Sequence, residues 1–130
     1  MFVINSQNSP SYADGLTFFL NGTQLASGEL GEGLGLAKDN NMTNSTATRF
    51  IAVEFDTFSN TGQGDPAGDH VGIDINSMAS IKTVNWSSNI KEGKLNHVYI
   101  SYTSSSYNLS VVLITESTDN NTTSQGLLQS

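Results

Sequence analysis

The chain has 130 residues, which is enough for one domain around one modest hydrophobic core. Its formal net charge is −7 and it has only five lysine and arginine residues, so it would repel the phosphate backbone of a nucleic acid. The absence of cysteine excludes disulfides, thiol catalysis and thiolate metal ligands.

Two kinds of signal bear on location. No stretch approaches the roughly 20 apolar residues that span a bilayer, and residues 1–15 lack the charged and apolar regions of an export signal. Seven N-x-S/T sequons are nevertheless present, at Asn21, Asn41, Asn44, Asn85, Asn108, Asn120 and Asn121. This density indicates a secretory protein, and we expect the beginning of the natural protein to lie outside this sequence.

The first part of the chain predicts strands and loops. Phe2–Ile4 is a short apolar run before a cluster of turn residues, as is typical of the end of a strand. Asp14 and Gly15, which alone would indicate an ordinary turn, precede Leu16–Leu20, whose aromatic and aliphatic residues predict a buried strand. Lys38–Thr48 is polar and low in complexity, and predicts a surface loop.

Residues 53–74 contain the densest group of polar side chains. Phe50–Val53 begins a strand that its continuous apolar character predicts to be covered on both faces. Alternate positions of the continuing strand project from one face, and they hold Glu54, Asp56, Phe58 and Asn60. The glycines and proline of residues 61–69 predict a loop that returns Asp65 and His70 to the end of this strand. The result is a predicted pocket of oxygen ligands with one imidazole.

A bound cation is the simplest explanation of such a pocket, because buried charges persist only when they are paired or metal-bound. Carboxylate, amide and carbonyl oxygens suit a hard cation such as calcium, whereas a histidine beside carboxylates suits a transition metal such as manganese. The alternative is a solvated acidic strand and turn. The ordered succession of Asn60, Asp65 and His70 favours the metal site over that alternative.

Four further strands are predicted after this loop. Val71–Asn76 alternates apolar and polar residues, which predicts a half-buried strand, and Ile81–Trp86 is a short strand candidate. Leu95–Tyr102 and Asn108–Ile114 are separated by a short polar turn and predict an antiparallel hairpin.

No segment of useful length has the period of a helix, and short strands separated by turns predict an all-β sandwich. Trp86 is interpreted as a packing residue rather than a binding-site residue. His97 lies far along the chain from the polar pocket, and we interpret it as a strand histidine with a local partner rather than a metal ligand.

Several of these stretches together resemble a known family. VEFDTFSN at 53–60, the Asp65-Pro66 pair and HVGIDINS at 70–77 are similar to the metal-binding core of the legume (L-type) lectins, including the lectin ectodomains of plant receptor-like kinases. The ADG of residues 13–15 and the GLGL of Gly33–Leu36, where the family begins a strand, extend the resemblance. It implies a jelly-roll β-sandwich of the concanavalin-A type. Residues 1–130 would form its central portion, without the N-terminal and C-terminal strands.

The resemblance also implies a set of metal ligands. A transition metal, manganese or another, would be bound by four side chains: Glu54, Asp56, Asp65 and His70. Calcium would be bound beside it by Asp56, the Phe58 carbonyl, Asn60 and Asp65. In this family the calcium fixes the loops that bind sugar.

A sugar-binding site is implied next to these metals. Asp14, after a cis peptide bond from Ala13, would accept hydrogen bonds from sugar hydroxyls. Asn60 and the backbone amide of Glu32 or Gly33 would add hydrogen bonds, and Phe58 would stack on the sugar ring. Glu32 stands where the family has a glycine.

The expected function is metal-dependent glycan binding without catalysis. A truncated domain without a working sugar site is an alternative, and a jelly-roll glycoside hydrolase is a weaker one because Phe58 and Ser59 stand where such an enzyme places its acid. The expected partners are glycans or glycoproteins, and a second copy or a complementing chain. The resemblance implies a secreted or vacuolar protein, or one on the extracellular face of the plasma membrane.

Overall fold

A computed structural model describes residues 1–22, 31, 33–36 and 49–116, and the backbone of residues 123–129. These residues form eight strands: β1 (Phe2–Val3), β2 (Gly15–Asn21), β3 (Phe50–Asp56), β4 (His70–Ile75), β5 (Lys82–Asn85), β6 (Leu95–Thr103), β7 (Asn108–Thr115) and β8 (Thr123–Gln129). A single 3₁₀ turn, Thr61–Gln63, is the other regular element of the described chain. None of the described segments is a helix long and apolar enough to cross a membrane.

The strands form two antiparallel sheets of four strands each, in the orders β1-β6-β7-β8 and β2-β3-β4-β5. The predicted all-β sandwich is therefore confirmed. The predicted hairpin is also confirmed, because β6 and β7 pair in register from Asn96 opposite Thr115 to Thr103 opposite Asn108.

The main hydrophobic core lies between the two sheets. Its buried members alternate along their strands, as residues on one face of a sheet must. They are Val53, Phe55, Val71, Ile73, Trp86, Ile90, Leu109, Val111 and Leu113. Trp86 packs edge-on against Phe2 and Phe55, and its indole N–H donates a hydrogen bond to Thr115 Oγ1 at 3.2 Å. The interpretation of Trp86 as a packing residue is confirmed.

The opposite face of β3 and β4 is also covered. Phe50 and Ala52 pack there against Leu36 and Met78. The prediction that β4 is half-buried is therefore wrong: every residue of β4 is buried except Ile75, which is 40% exposed. The strand does alternate, but its polar side chains face a buried layer rather than solvent.

Other predictions near the edges also need correction. β2 forms as predicted, but as the outermost strand of its sheet it is mostly exposed rather than buried. Gly33–Leu36 forms a turn rather than the start of a strand, since the Leu34 and Leu36 N–H groups donate to the Gly31 and Gly33 carbonyls. β8 was not predicted. The predicted loop at 38–48 lies outside the described residues.

His97 on β6 has the local partner expected of it, because its Nε2 lies 3.4 Å from Glu116 Oε1.

At the β2 edge of its sheet, several apolar side chains on the core-facing side are exposed to solvent. Pairing of β2 with β3, and of β3 with β4, aligns these side chains on one face. We call Leu16, Phe18, Leu20, Ile51 and Ile75 the β2 strip; their exposed fractions are 40%, 48%, 63%, 40% and 40%. Contiguous exposed apolar surface of this kind attracts other apolar molecules.

We expect the chain to bind the hydrophobic dye ANS at the β2 strip. The double substitution Phe18→Ser and Leu20→Ser removes much of the exposed apolar surface, and should lower the dye fluorescence roughly twofold. Tyr107→Ser is the control, because Tyr107 is 80% exposed in the turn between β6 and β7, away from the strip. Dye fluorescence equal to that of buffer in the unmodified chain would contradict this expectation.

Candidate metal centre

Two neighbouring strands and one loop bring the predicted ligands together. In the β3–β4 ladder Asp56 lies opposite His70, and Glu54 lies on the same face two residues earlier. The loop between the strands returns Asp65 to this place. One ligand atom each of Asp56, Asp65 and His70 lies within 4.8 Å of the others. His70 Nε2 is 3.6 Å from Glu54 Oε1 and 3.8 Å from Asp65 Oδ1.

The carboxylates are held in place by backbone donors. The Phe58 N–H donates to Asp56 Oδ1 at 2.6 Å, and the Asn60 N–H donates to Asp65 Oδ2 at 2.8 Å. The predicted ligands Phe58 and Asn60 thus reach the cluster through backbone N–H groups, while the Phe58 ring is 49% exposed. A carboxylate whose orientation is fixed in this way is ready to bind a cation with its other oxygen.

His70 has the hydrogen-bonding pattern of a metal ligand. Its side chain is fully buried, and its Nδ1 lies 3.2 Å from the Gly68 carbonyl oxygen. Because a carbonyl oxygen accepts only, Nδ1 carries the proton in the neutral ring and Nε2 keeps its lone pair. Nε2 is buried and has no hydrogen-bond partner among the described residues. This unpartnered nitrogen faces two carboxylates, and the donor set fits a bound cation.

The electrostatics of the cluster support the same interpretation. Burial raises the pKa of Asp56 to about 6, with contributions from the nearby Glu54 and Asp65 carboxylates, although the Phe58 N–H opposes the shift. Burial lowers the pKa of His70, but Glu54, the Gly68 carbonyl and Asp56 outweigh it and raise the pKa to about 9. The crowded carboxylates therefore favour positive charge at this place, either a proton on His70 or a bound cation.

Asp74 and Ser80 belong to the site but were not predicted. The Ser80 hydroxyl lies 2.7 Å from Glu54 Oε1 and 2.6 Å from Asp74 Oδ1, and it bridges the two carboxyl groups. Burial, and next the Glu54 carboxylate, raise the pKa of the Asp74 carboxyl to about 8. The alternation His70, Gly72, Asp74 on one face of β4 was the available signal, since it places Asp74 on the face of the ligands.

Asp14 lies at the same end of the sheet. Gly15 pairs with Asp56, and the Asp14 carbonyl accepts hydrogen bonds from the Thr57 N–H at 2.8 Å and from Thr57 Oγ1 at 3.0 Å. The Ala13-Asp14 peptide bond is cis, as predicted. Gly33 is buried in its turn, and Glu32 lies outside the described residues.

The structure is thus a two-sheet β-sandwich with an acidic, histidine-containing cluster, a candidate cation site, at one end of a sheet. The sequence profile of the legume lectin domain matches residues 1–129. The chain therefore belongs to the legume lectin family.

Individual relatives agree with this assignment. Bark agglutinin I polypeptide A from Robinia pseudoacacia is 42% identical over 113 residues, which cover 87% of this chain and 38% of that protein. A galactose-binding lectin from Arachis hypogaea is 41% identical over 116 residues, with coverage of 87% and 40%. A solved lectin from Bauhinia forficata, in complex with GalNAc, has a TM-score of 0.81 at 28% identity and covers 99% of this chain and 54% of that chain.

Two conclusions follow from these relatives. The solved lectins have the jelly-roll β-sandwich, which confirms the predicted architecture. The relatives are named as lectins or agglutinins, which are non-enzymatic carbohydrate-binding proteins, in agreement with the expectation of no catalysis. The chain spans 38–40% of the length of the two curated relatives and about half that of the solved lectin.

Proposed function

We propose that this chain binds glycans without catalysis and that its binding depends on cations. The observation that carries the proposal is the junction between Asp14 and the acidic cluster. Thr57, which directly follows Asp56, donates both of its hydrogen bonds to the Asp14 carbonyl. Asp14, the proposed acceptor for sugar hydroxyls, is thereby connected to the proposed cation ligand Asp56 through the neighbouring residue Thr57.

The cations would be held by the residues that the sequence predicts. Glu54, Asp56, Asp65 and His70 would bind manganese or another transition metal. Calcium would be bound by Asp56, Asp65, Asn60 and the Phe58 carbonyl. When bound, the two cations neutralise the carboxylates and fix the loop between β3 and β4.

The sugar would lie against the exposed end of this site. The Asp14 carboxylate would accept hydrogen bonds from sugar hydroxyls, and Asn60 and the backbone amide of Glu32 or Gly33 would contribute others. The half-exposed Phe58 ring offers an apolar face to a sugar ring. Galactose and N-acetylgalactosamine are the first sugars to test, because one relative is named galactose-binding and another was solved with GalNAc.

We also place the protein in the secretory pathway, as a secreted or vacuolar protein or on the outer face of the plasma membrane. Its seven sequons support this location, and Asn85 is exposed at the end of β5.

The substitution Asp14→Ala should remove sugar binding and leave the metals bound. It deletes a charged acceptor worth about 1.5–3 kcal/mol, so the galactose affinity should fall at least about tenfold. Calorimetry measures the affinity, and elemental analysis measures the metal content. Glu92→Ala is the control, since Glu92 is an exposed acidic residue paired with Lys94. Loss of both metals in Asp14→Ala would identify Asp14 as a ligand instead, and unchanged galactose affinity would remove it from the sugar site.

A further inference from the structure

We infer that Thr57 is a positioning residue for Asp14, and that a hydrogen bond from Tyr12 to Asp69 provides the second tether of the same segment. The inference rests on the proposed role of Asp14 in sugar binding. It assigns the position of the Asp14 backbone, from which the carboxylate projects, to contacts made by Thr57 and Asp69.

The first tether is a double hydrogen bond on one acceptor. The Asp14 carbonyl accepts from the Thr57 N–H at 2.8 Å and from the Thr57 hydroxyl at 3.0 Å. Thr57 is buried and follows β3, the strand that carries Glu54 and Asp56. Two donors from one buried residue fix both the position and the orientation of the Asp14 peptide group.

Gly15 permits the close approach that these bonds require. It pairs with Asp56 at the start of β2, and a Cβ atom on it would collide with the Phe55 carbonyl oxygen. The backbone of Asp14 and Gly15 therefore lies directly against the end of β3. No side chain other than hydrogen fits between them.

The second tether lies on the other side of Asp14. The Tyr12 hydroxyl donates a hydrogen bond to the Asp69 carboxylate, and the Tyr12 ring packs against the main core. The Ser88 hydroxyl also donates a hydrogen bond to Asp69, at Oδ2, and the Asp69 carbonyl oxygen accepts one from the Trp86 N–H at 2.8 Å. Asp69 directly precedes His70, so this tether ties the Tyr12–Asp14 segment to β4.

The two tethers hold Asp14 from both strands that supply cation ligands. β3 holds its carbonyl through Thr57, and β4 holds the residue two positions earlier through Asp69. A carboxylate that projects from a backbone held in place loses less freedom when a ligand binds, so weakening either tether lowers the affinity for sugar without removing a metal ligand.

The test uses the full chain loaded with calcium and manganese. Thr57→Val removes the hydroxyl and keeps the shape, Thr57→Ser keeps the hydroxyl, and Tyr12→Phe removes only the phenolic hydroxyl. Three quantities are measured for each variant: metal content, the dissociation constant for galactose, and the exchange rate of the Thr57 amide hydrogen by NMR.

We expect Thr57→Val and Tyr12→Phe to retain both metals and to raise the galactose dissociation constant roughly five- to tenfold. Thr57→Ser should stay within about twofold of the unmodified chain. In Tyr12→Phe the Thr57 amide should exchange about tenfold faster, because the segment that accepts its hydrogen bond is released. Unchanged galactose affinity in Thr57→Val and Tyr12→Phe would overturn the inference.

The amide measurement separates this inference from the proposed function. If the unmodified chain binds no sugar, the proposed function fails, but faster exchange of the Thr57 amide in Tyr12→Phe would still support the two-tether arrangement. An unchanged exchange rate would overturn it whether or not sugar binds.

Discussion

Asp65→Ala is expected to abolish cation binding by this chain. Asp65 is the residue that the predicted transition-metal and calcium sites share in the loop between β3 and β4. One of its oxygens lies 3.8 Å from His70 Nε2 and the other accepts the Asn60 N–H at 2.8 Å. The substitution therefore removes a ligand from both sites and releases Asn60 as well. The affinities for Mn²⁺ and Ca²⁺ should each fall more than about 100-fold.

Calorimetric titration of the metal-stripped chain with each cation measures this effect. Glu92→Ala again serves as a matched control, because it removes one carboxylate from an exposed ion pair outside the cluster. Wild-type affinity of Asp65→Ala for both cations would show that the cluster is not a metal site. Loss of only one cation would show that the two sites do not share Asp65.

Gly72→Ala is expected to disrupt the same centre from within β4. Gly72 pairs with Glu54, and a Cβ atom on it would occupy the space of Ser80 Oγ and Glu54 Oε1. Glu54 is buried, so its carboxylate must shift within a packed layer and its distance to His70 changes. We expect the Mn²⁺ affinity to fall at least about tenfold, with a loss of about 1–3 kcal/mol in the free energy of unfolding.

Gly62→Ala is the matched control for this substitution. Gly62 lies in the 3₁₀ turn of the same loop, and an added Cβ meets no atom within 4 Å. Titration with Mn²⁺ and unfolding in urea compare the two variants. Equal Mn²⁺ affinity in Gly72→Ala and Gly62→Ala would show that Glu54 is not a ligand of the transition metal.

The strands and the clustering of Glu54, Asp56, Asp65 and His70 were predictable because both depend on local order. Side chains two residues apart in any strand lie on the same face, so Glu54 and Asp56 share a face whichever strands are their neighbours. The loop between the paired strands β3 and β4 then returns His70 beside Asp56. These features require no knowledge of distant contacts.

Features set by the packing of distant segments were not predictable. Ser80 reaches Glu54 only because the chain turns back after β4, and nothing in its neighbourhood marks it as a partner of two carboxyl groups. The apolar residues of β2 predict burial, but the position of the strand at the sheet edge exposes them. At Gly33–Leu36, Leu34 and Gly35 have positive φ angles of 43° and 79°, which turn the chain instead of extending it.

The predicted sugar contacts depend on the relation between separate loops. The structure holds Asp14 against Thr57, but Glu32 lies outside the described residues and the roles of Gly33, Phe58 and Asn60 toward sugar stay predictions. These contacts were predicted from the resemblance to a family rather than from the residues alone, because they come from loops that are far apart in the sequence.

A sugar titration at controlled metal content tests most directly whether the cation cluster organises a sugar site. The chain is loaded with Ca²⁺ and Mn²⁺ and titrated calorimetrically with galactose, N-acetylgalactosamine and mannose, then stripped with EDTA, verified by elemental analysis, and titrated again. We predict that the loaded chain binds at least one of these sugars, that the stripped chain binds none, and that reloading restores binding. Sugar binding of equal affinity by the verified metal-free chain, or no binding by the fully loaded chain, would contradict the claim that the cation cluster organises a sugar site.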